Sequence, residues 1–394
     1  MMTARERFPN LFAAALLWLA CAGYAFLGGM PAYVVQMATD WHYTASQQGL
    51  IAMAEVVGNA AGSLLLVYAI HGRSARFTLA LGLLMQLVGN AAMYIEPPFW
   101  LACGERVFAG IGGGIVFGTA IRYVSLNPRA DILLPLMVIC QYLGMVLAMS
   151  VVIPALGTIS NSLIYCAATA GISLLTLLFF MDGGKMVGEV ADGQLPPPVH
   201  SGAARLVLAS IFLISICAGV AWTFLESVAL ASNLAPEQVH KAIGASAVPI
   251  VLICLCLSKL LGRGQALASG VVLLGACAAG CLLLTLPQTP WIFFVAATAF
   301  TGGWMTSGVA QFAMLPTFDP VGRHSALVPA CVGIGSAVGS LVGGWLIETS
   351  SAFGLAYEIA AVFAVLAMVS ILMANRLGSK HRAIGEVPLR GSIH

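Results

Sequence analysis

Apolar stretches of about 18 residues or more, each long enough to cross a bilayer as a helix, follow one another along the whole chain and constrain its fold more than any motif. Inside hydrocarbon every backbone amide needs a protein partner, which leaves helices or a closed barrel. The alternating pattern of a barrel strand is absent, so the sequence reads as an all-α membrane protein. Charge content agrees. Asp, Glu, Lys and Arg make up 8 % of 394 residues, against roughly a quarter in soluble domains.

Reading the apolar runs between polar or Pro/Gly breaks places spans near 8–36, 46–70, 76–95, 98–122, 131–154 and 159–181. A second set follows near 205–233, 238–261, 264–286, 290–315, 323–347 and 353–376. The turns are short, so neighbouring spans run antiparallel. With both termini in the cytoplasm, 15 of the 17 Lys and Arg fall on the inner side, as the positive-inside rule asks. Arg106 and Lys241 are the exceptions. The opening "MMTARERFPNLFAAALLWLACAGYAF" resembles a secretory signal superficially, but similar runs follow it, which makes it a retained first span.

The expected organisation is a six-helix bundle over 1–181, a cytoplasmic linker over 182–204, a second six-helix bundle over 205–376 and a cytoplasmic tail over 377–394. The linker lies in "DGGKMVGEVADGQLPPPVHSGAAR", polar and triple-proline, and reads as a flexible tether. The halves repeat. Gly72-Arg73 aligns with Gly262-Arg263 at an offset of 190, and Gly112, Gly113, Gly118 and Ala120 fall at the same offset on Gly302, Gly303, Gly308 and Ala310. "CAGYA" at 21 and "CAGVA" at 217 add a match near the half starts. Order and spacing together point to a duplicated, pseudo-symmetric six-helix unit.

Several function classes drop out. No basic tract suggests nucleic acid, and no phosphate-binding GxxxxGK[ST] loop is present. The ten cysteines, among them Cys254, Cys256, Cys277 and Cys281, sit almost entirely in apolar runs and read as small hydrophobes. His42, His71, His240 and His324 lie in or beside separate loops, so neither a metal site nor a nucleophile pair is evident. The chain is therefore expected to be neither an enzyme nor the holder of a cofactor or metal.

Six plus six spans, a cytoplasmic tether, basic turns after spans 2 and 8, and an arginine followed by glycines in span 4 together resemble the major facilitator superfamily (MFS). The span 4 signature of that family, Arg-x-x-x-Gly-x-Gly, is matched by Arg106, Gly110 and Gly112, with Ala109 where Gln is frequent. The signature between spans 2 and 3 keeps Gly72 and Arg73 but has Ala69 in place of an acidic residue. The Gly-Pro signature of span 5, associated with many drug antiporters, is missing from "LMVICQYLGMVLAMSVVIP". The resemblance implies alternating access by two rocking bundles around a central site.

Charges within spans are costly and mark function by default. Glu55, Arg106 and Glu226 each lie about 12 Å from the outer end of their span at 1.5 Å per residue. Arg106 offers a rigid fork suited to a carboxylate. It reads either as a substrate or coupling residue, or as a buried ion pair with Glu55 or Glu105 that fixes packing. Glu226, one turn after Trp222, and Glu55, with Asn59, Gly58 and Gly62 nearby, are rival sites for a transported proton, because a dehydrated carboxyl can take one up near neutral pH. Glu105 points about 100° away from Arg106 and is expected as a packing or gating partner. Tyr24, Tyr33, Gln141, Tyr142, Trp222, Trp304, Ser307 and Gln311 are candidate pocket residues, the last three forming a stripe along one helix. Gly335, Gly339 and Gly343 make a smooth packing face, and Gly28-Gly29-Met30-Pro31 is expected to bend span 1 near the outer gate.

These readings lead to a proton-coupled secondary carrier, functional as a monomer in a bacterial inner membrane, moving a small amphipathic organic molecule that includes carboxylates as a class. Import is the favoured direction. Efflux of a hydrophobic drug or metabolite is the alternative, and a non-transporting membrane sensor the alternative of another class.

Overall fold

The computed structural model describes residues 9–68, 70, 73–125, 130–180, 201–319, 324 and 327–385. Twelve helices among them are long and apolar enough to cross a membrane: α1 (Asn10–Asp40), α2 (Ala45–Leu66), α3 (Ala75–Ile95), α4 (Phe99–Val124), α5 (Leu136–Leu156), α6 (Ile159–Leu177), α7 (Gly202–Thr223), α8 (Pro236–Gly262), α9 (Ala266–Leu283), α10 (Pro290–Leu315), α11 (Val328–Ser350) and α12 (Gly354–Gly378). No strand lies among the described residues. The expected linker over 182–204 falls outside them except for 201–204, as do Gly72, Arg129, Arg323 and the end of the tail. The last helix runs on to Gly385, beyond the expected tail boundary at 376.

Polar caps fix several helix starts. Ser74 accepts from the Phe77 amide at 3.2 Å, Thr158 from Asn161 at 3.3 Å and Thr289 from Ile292 at 3.2 Å, each satisfying an amide that has no partner within its helix. Ser74→Ala is expected to cost about 1 kcal/mol, to be read as a small fall in the thermal midpoint, with Ser74→Asp restoring it. An unchanged midpoint in Ser74→Ala would show that the cap adds nothing to stability.

Packing follows the duplicated pattern. α2 packs on α4 and α11, and its counterpart α8 packs on α10 and α5; α3 packs on α4 as α9 does on α10. Glycines set the closest approaches. A Cβ at Gly58 or Gly62 would meet the backbone oxygens of Val107 or Ile111 on α4, and one at Gly110 or Gly114 would meet those of Glu55 or Asn59 on α2. Lipid gives little hydrophobic drive between helices, so backbone approach of this kind carries much of the cohesion. Gly335, Gly339 and Gly343 face α7, where a Cβ on Gly343 would lie 3.2 Å from Val220. Two of the glycines that follow Arg106 in the span 4 signature thus have steric work: Gly110 admits α2, and Gly112 admits α3 at Gly82.

Three departures from regular helix lie near the candidate residues. α1 divides at Gly23-Tyr24 into Pro9–Ala22 and Ala25–Asp40, so the break precedes the expected bend, and Gly29 and Pro31 lie inside a continuous helix. The reason is where the carbonyl freed by proline finds its donor. Pro31 has no amide hydrogen for the Leu27 carbonyl, and the Trp222 indole nitrogen on α7 donates to it at 3.0 Å. α5 contains a π turn over Ala148–Val152, a feature frequent at functional sites. α7 stops at Thr223, and after Phe224 the chain forms a short helix, Leu225–Ala231.

Candidate functional site

The candidate residues separate into four places. The first lies inside the N-terminal half. Arg106 is fully buried, and its Nη2 donates to the Gly89 carbonyl at 3.2 Å and to Asn90 Oδ1 at 3.0 Å. Its Nη1 stands 3.6 Å from Glu55 Oε2, and the guanidinium carbon lies 4.4 Å from the centre of the Phe26 ring. Three helices therefore surround the cation carried by α4: α1 gives an aromatic face, α2 a carboxylate, α3 a carbonyl and an amide. Such a cluster offsets the desolvation of the charge, which unpaired would be prohibitive. Of the two readings of Arg106, this is the geometry of the buried pair. The partner is Glu55, not Glu105.

Glu105 is half-buried, with one carboxylate oxygen enclosed and without a hydrogen-bond partner, and no bond joins it to Arg106. The polar interior extends beyond the pair. Gln86 donates to the Ala22 carbonyl at 3.4 Å, beside the break in α1, and Asn90 donates to the Gln86 carbonyl at 2.7 Å. Glu55 Oε2, Asn59 Nδ2, Gln86 Oε1 and Arg106 Nε lack hydrogen-bond partners, so this network is only partly satisfied. In a low-dielectric interior the bonds of such a network are strong and each unpaired group is costly. Tyr33 is buried close by, its hydroxyl 3.1 Å from Cys166 Sγ.

A second set lies between the halves. Trp222 bridges α7 to Leu27 of α1, and its ring centre is 5.8 Å from that of Trp304, which stacks on Phe300 at 5.9 Å. Tyr142 on α5 shares a hydrogen bond of 2.8 Å with Ser246 on α8. Val146, Ala247 and Ile250 pack around that contact. Gly28 on α1 faces Met145 on α5. This face carries indole, phenol and hydroxyl groups and no charge. Gln141 and Tyr24, expected with it, serve α1: Gln141 donates to the Ala20 carbonyl at 3.1 Å, and Tyr24 stands at the break with its ring 4.5 Å from that of Phe117.

The third place is the interior of the C-terminal half, and it corrects the expected stripe. Ser307 and Gln311 are fully buried; Gln311 donates to Ser210 Oγ at 2.8 Å, and Ser210 donates to the Ala367 carbonyl at 2.7 Å. The Ser307 hydroxyl caps the Trp304 carbonyl at 2.9 Å. Trp304 alone of the three meets Trp222, the residue that bridges to α1. Buried amides seek hydrogen-bond partners, and Ser210 of α7, itself anchored to α12, supplies one for the Gln311 nitrogen.

The fourth place joins two residues that the sequence kept apart. Glu226, buried on the short helix after Phe224, has its Oε1 3.1 Å from His240 Nε2 of α8. Its Oε2 is enclosed without a partner. His240 lines an open cleft of roughly 670 Å³ with Ser150 and Pro154 of α5 and Lys241 and Gly244 of α8. The cleft thus lies at the seam between the halves, beside the π turn. His240 falls near the start of the span expected over 238–261, and the helix begins slightly earlier: Pro236 takes the first helical position, and Gln238 Oε1 accepts from the Ala235 amide at 3.2 Å. A helix beginning there puts His240 one turn in, facing Glu226.

The sequence model of the family described as "Uncharacterised MFS-type transporter YbfB" matches residues 30–372. No curated protein matches the chain significantly. Among solved structures, a point mutant of the nucleoside transporter NupG is similar with a TM-score of 0.72 and 12 % identity, over 93 % of this chain and 99 % of that one. NupG without that mutation is similar with a TM-score of 0.65 and 15 % identity, over 96 % and 98 %. The human organic anion transporter MFSD10 (TETRAN) has a TM-score of 0.65 and 15 % identity, over 95 % and 100 %. At these identities the likeness is one of fold.

Proposed function

Because the chain belongs to the YbfB-type family of major facilitator transporters, and is thus a multi-pass membrane transporter and not an enzyme, we propose that it is a proton-coupled secondary carrier for a small amphipathic organic molecule. The observation that carries this reading is the Glu226–His240 pair. A proton arriving from the cleft meets His240 first, and Glu226 is 3.1 Å further in. An imidazole can accept a proton at one nitrogen and release one at the other. The carboxylate beyond it is buried and under-bonded, as a group must be if its protonation is to alter packing around it. Phe224, where α7 ends, places a break in the helix directly beside that carboxylate.

The cargo is read from the seam. Trp222, Trp304 and Tyr142 favour a flat apolar or aromatic body with one or two hydrogen-bonding groups, as ligand sites generally do. Carboxylates remain one class of cargo, but Arg106 already serves Glu55, Gly89 and Asn90. In this reading Arg106 therefore works with Glu55 as a packing and coupling pair, and recognition falls to the seam. The uncharged seam also favours the second reading, efflux of a hydrophobic molecule. Import, operation as a monomer, residence in a bacterial inner membrane and cytoplasmic termini complete the proposal, the last supported by where the basic residues fall.

Proteoliposomes loaded with a pH-sensitive dye and challenged with a panel of aromatic and aliphatic carboxylates and neutral aromatic solutes test it. Addition of a transported solute should move protons with it, and an imposed pH gradient should raise the rate at least tenfold. Glu226→Gln should lose the proton signal while retaining solute binding by thermal shift. Solute transport that ignores the gradient, in wild type and in Glu226→Gln with Glu55→Gln alike, sinks the proton-coupled reading.

A further inference from the structure

Three cysteines that composition alone assigned to apolar packing converge inside the C-terminal half. Cys277 and Cys281 lie one turn apart on α9 and share a face. Cys217 on α7 points between them, with Sγ 3.8 Å from Cys277 Sγ and 3.7 Å from Cys281 Sγ. All three sulfurs lie within 4.8 Å of one another, and among the described residues this is the one group of three or more Cys, His, Asp or Glu side chains with such geometry. Each of the three residues is fully buried. Their positions are held by close helix contacts. A Cβ on Gly303 of α10 would press on the Cys277 backbone, and one on Gly280 would meet Phe300. The nearby Tyr357 hydroxyl is committed to the Ala221 carbonyl at 3.2 Å.

Three soft sulfur donors around one point suit a thiophilic centre. With centre–sulfur bonds of about 2.3 Å, one atom can bridge sulfurs up to about 4.6 Å apart. Cys217 stands within that reach of both partners, at 3.8 and 3.7 Å, and a small closing of the three sulfurs onto a pyramidal centre completes the set. Electrostatics then selects the centre. With three thiolates, a monovalent ion leaves two negative charges and a divalent ion leaves one, buried where no cation of the protein is bonded to the sulfurs, and such charge is expensive. A trivalent centre leaves none.

We propose that Cys217, Cys277 and Cys281 form a binding site for trivalent arsenic, taken up as arsenous acid and held as a neutral tris-thiolate. The step balances without an oxidant. In As(OH)3 + 3 RSH → As(SR)3 + 3 H2O, three As–O bonds break, three As–S bonds form, and each thiol proton leaves with a hydroxide as water. Both the free acid and the bound form are uncharged, so neither arrival nor binding places net charge in the bundle. Occupancy staples α7 to α9. The site is independent of the transport reading above, and its test needs no cargo.

The full chain, purified in detergent and kept reduced, is exposed to arsenite, desalted and assayed for arsenic and for thermal unfolding. One arsenic per chain and a higher thermal midpoint are expected, because a ligand bound only by the folded state stabilises it. A variant in which the other seven of the ten cysteines are replaced should retain both. Cys217→Ser and Cys281→Ser in that background should each reduce retained arsenic at least tenfold. Should those variants fail to fold, X-ray absorption on the three-cysteine chain decides, with three sulfur neighbours expected. No retained arsenic, retention that the serine variants do not alter, fewer than three sulfur neighbours, or zinc binding in place of arsenic would each overturn the assignment.

Discussion

Arg106→Met is expected to destabilise the protein by about 3–5 kcal/mol at neutral pH, the range found when one partner of a buried ion pair is removed. Methionine approximates the length of the side chain, so the loss reports mainly on Glu55. That carboxylate is 3 % exposed and keeps Oε2 without a hydrogen-bond donor. Once the guanidinium 3.6 Å away is gone, it must remain as an uncompensated anion or take up a proton. The penalty should therefore shrink as pH falls, because a protonated Glu55 carries no charge to bury. Glu55→Gln added to Arg106→Met should recover part of the loss at neutral pH, with a coupling of about 1–3 kcal/mol in the double-mutant cycle. Unfolding followed by circular dichroism in detergent at two pH values measures all of this. If Arg106→Met leaves stability unchanged and abolishes solute binding, the arginine is a recognition residue and the packing reading fails.

Gly62→Leu and Gly114→Leu should yield no stable protein. A side chain at either position enters the backbone of the facing helix, at Ile111 and Asn59 respectively, and neither carbonyl can rotate out of a helix. Even Ala there is expected to cost about 1–3 kcal/mol as overpacking. The matched controls are Gly104 and Gly144, where a new Cβ meets nothing within 4 Å. Ala at those positions should be neutral or stabilising by up to about 1 kcal/mol, because helical glycine sacrifices more backbone entropy than alanine. The fraction of monodisperse protein in size exclusion and its thermal midpoint separate the two groups. Equal tolerance at Gly114 and Gly104 would mean that α2 and α4 are not in backbone contact.

Much of the architecture was legible because the bilayer leaves few solutions. Hydropathy located all twelve spans, and the spacing of Gly335, Gly339 and Gly343 announced a close helix contact without naming α7 as its partner. The site was legible only in part. A charge inside a span says that something must answer it, and Arg106 was singled out on that ground. Which residue answers depends on side-chain direction across helices, and α1, α3 and α2 lie far from Arg106 in sequence. The same limit explains Gln311, four residues from Ser307 on a shared stripe, yet donating to Ser210 of α7 inside the C-terminal half. The pairing of His240 with Glu226 escapes a linear reading because the two stand on different helices, and the bend expected at Pro31 is absent for a similarly long-range reason, a freed carbonyl claimed by Trp222.

By itself the sequence determined the class of fold, the number of spans and their duplicated order, because hydrophobic length and backbone satisfaction in lipid are properties of each segment alone. Tertiary structure decided the partners: that Arg106 belongs to Glu55, that Glu226 meets His240, and that three thiols share one point. The physical reason is range. Hydrophobicity acts on a helix as a whole, whereas hydrogen bonds, ion pairs and thiol contacts act over a few ångströms and are fixed only when glycine-mediated packing sets how closely, and on which face, two helices meet.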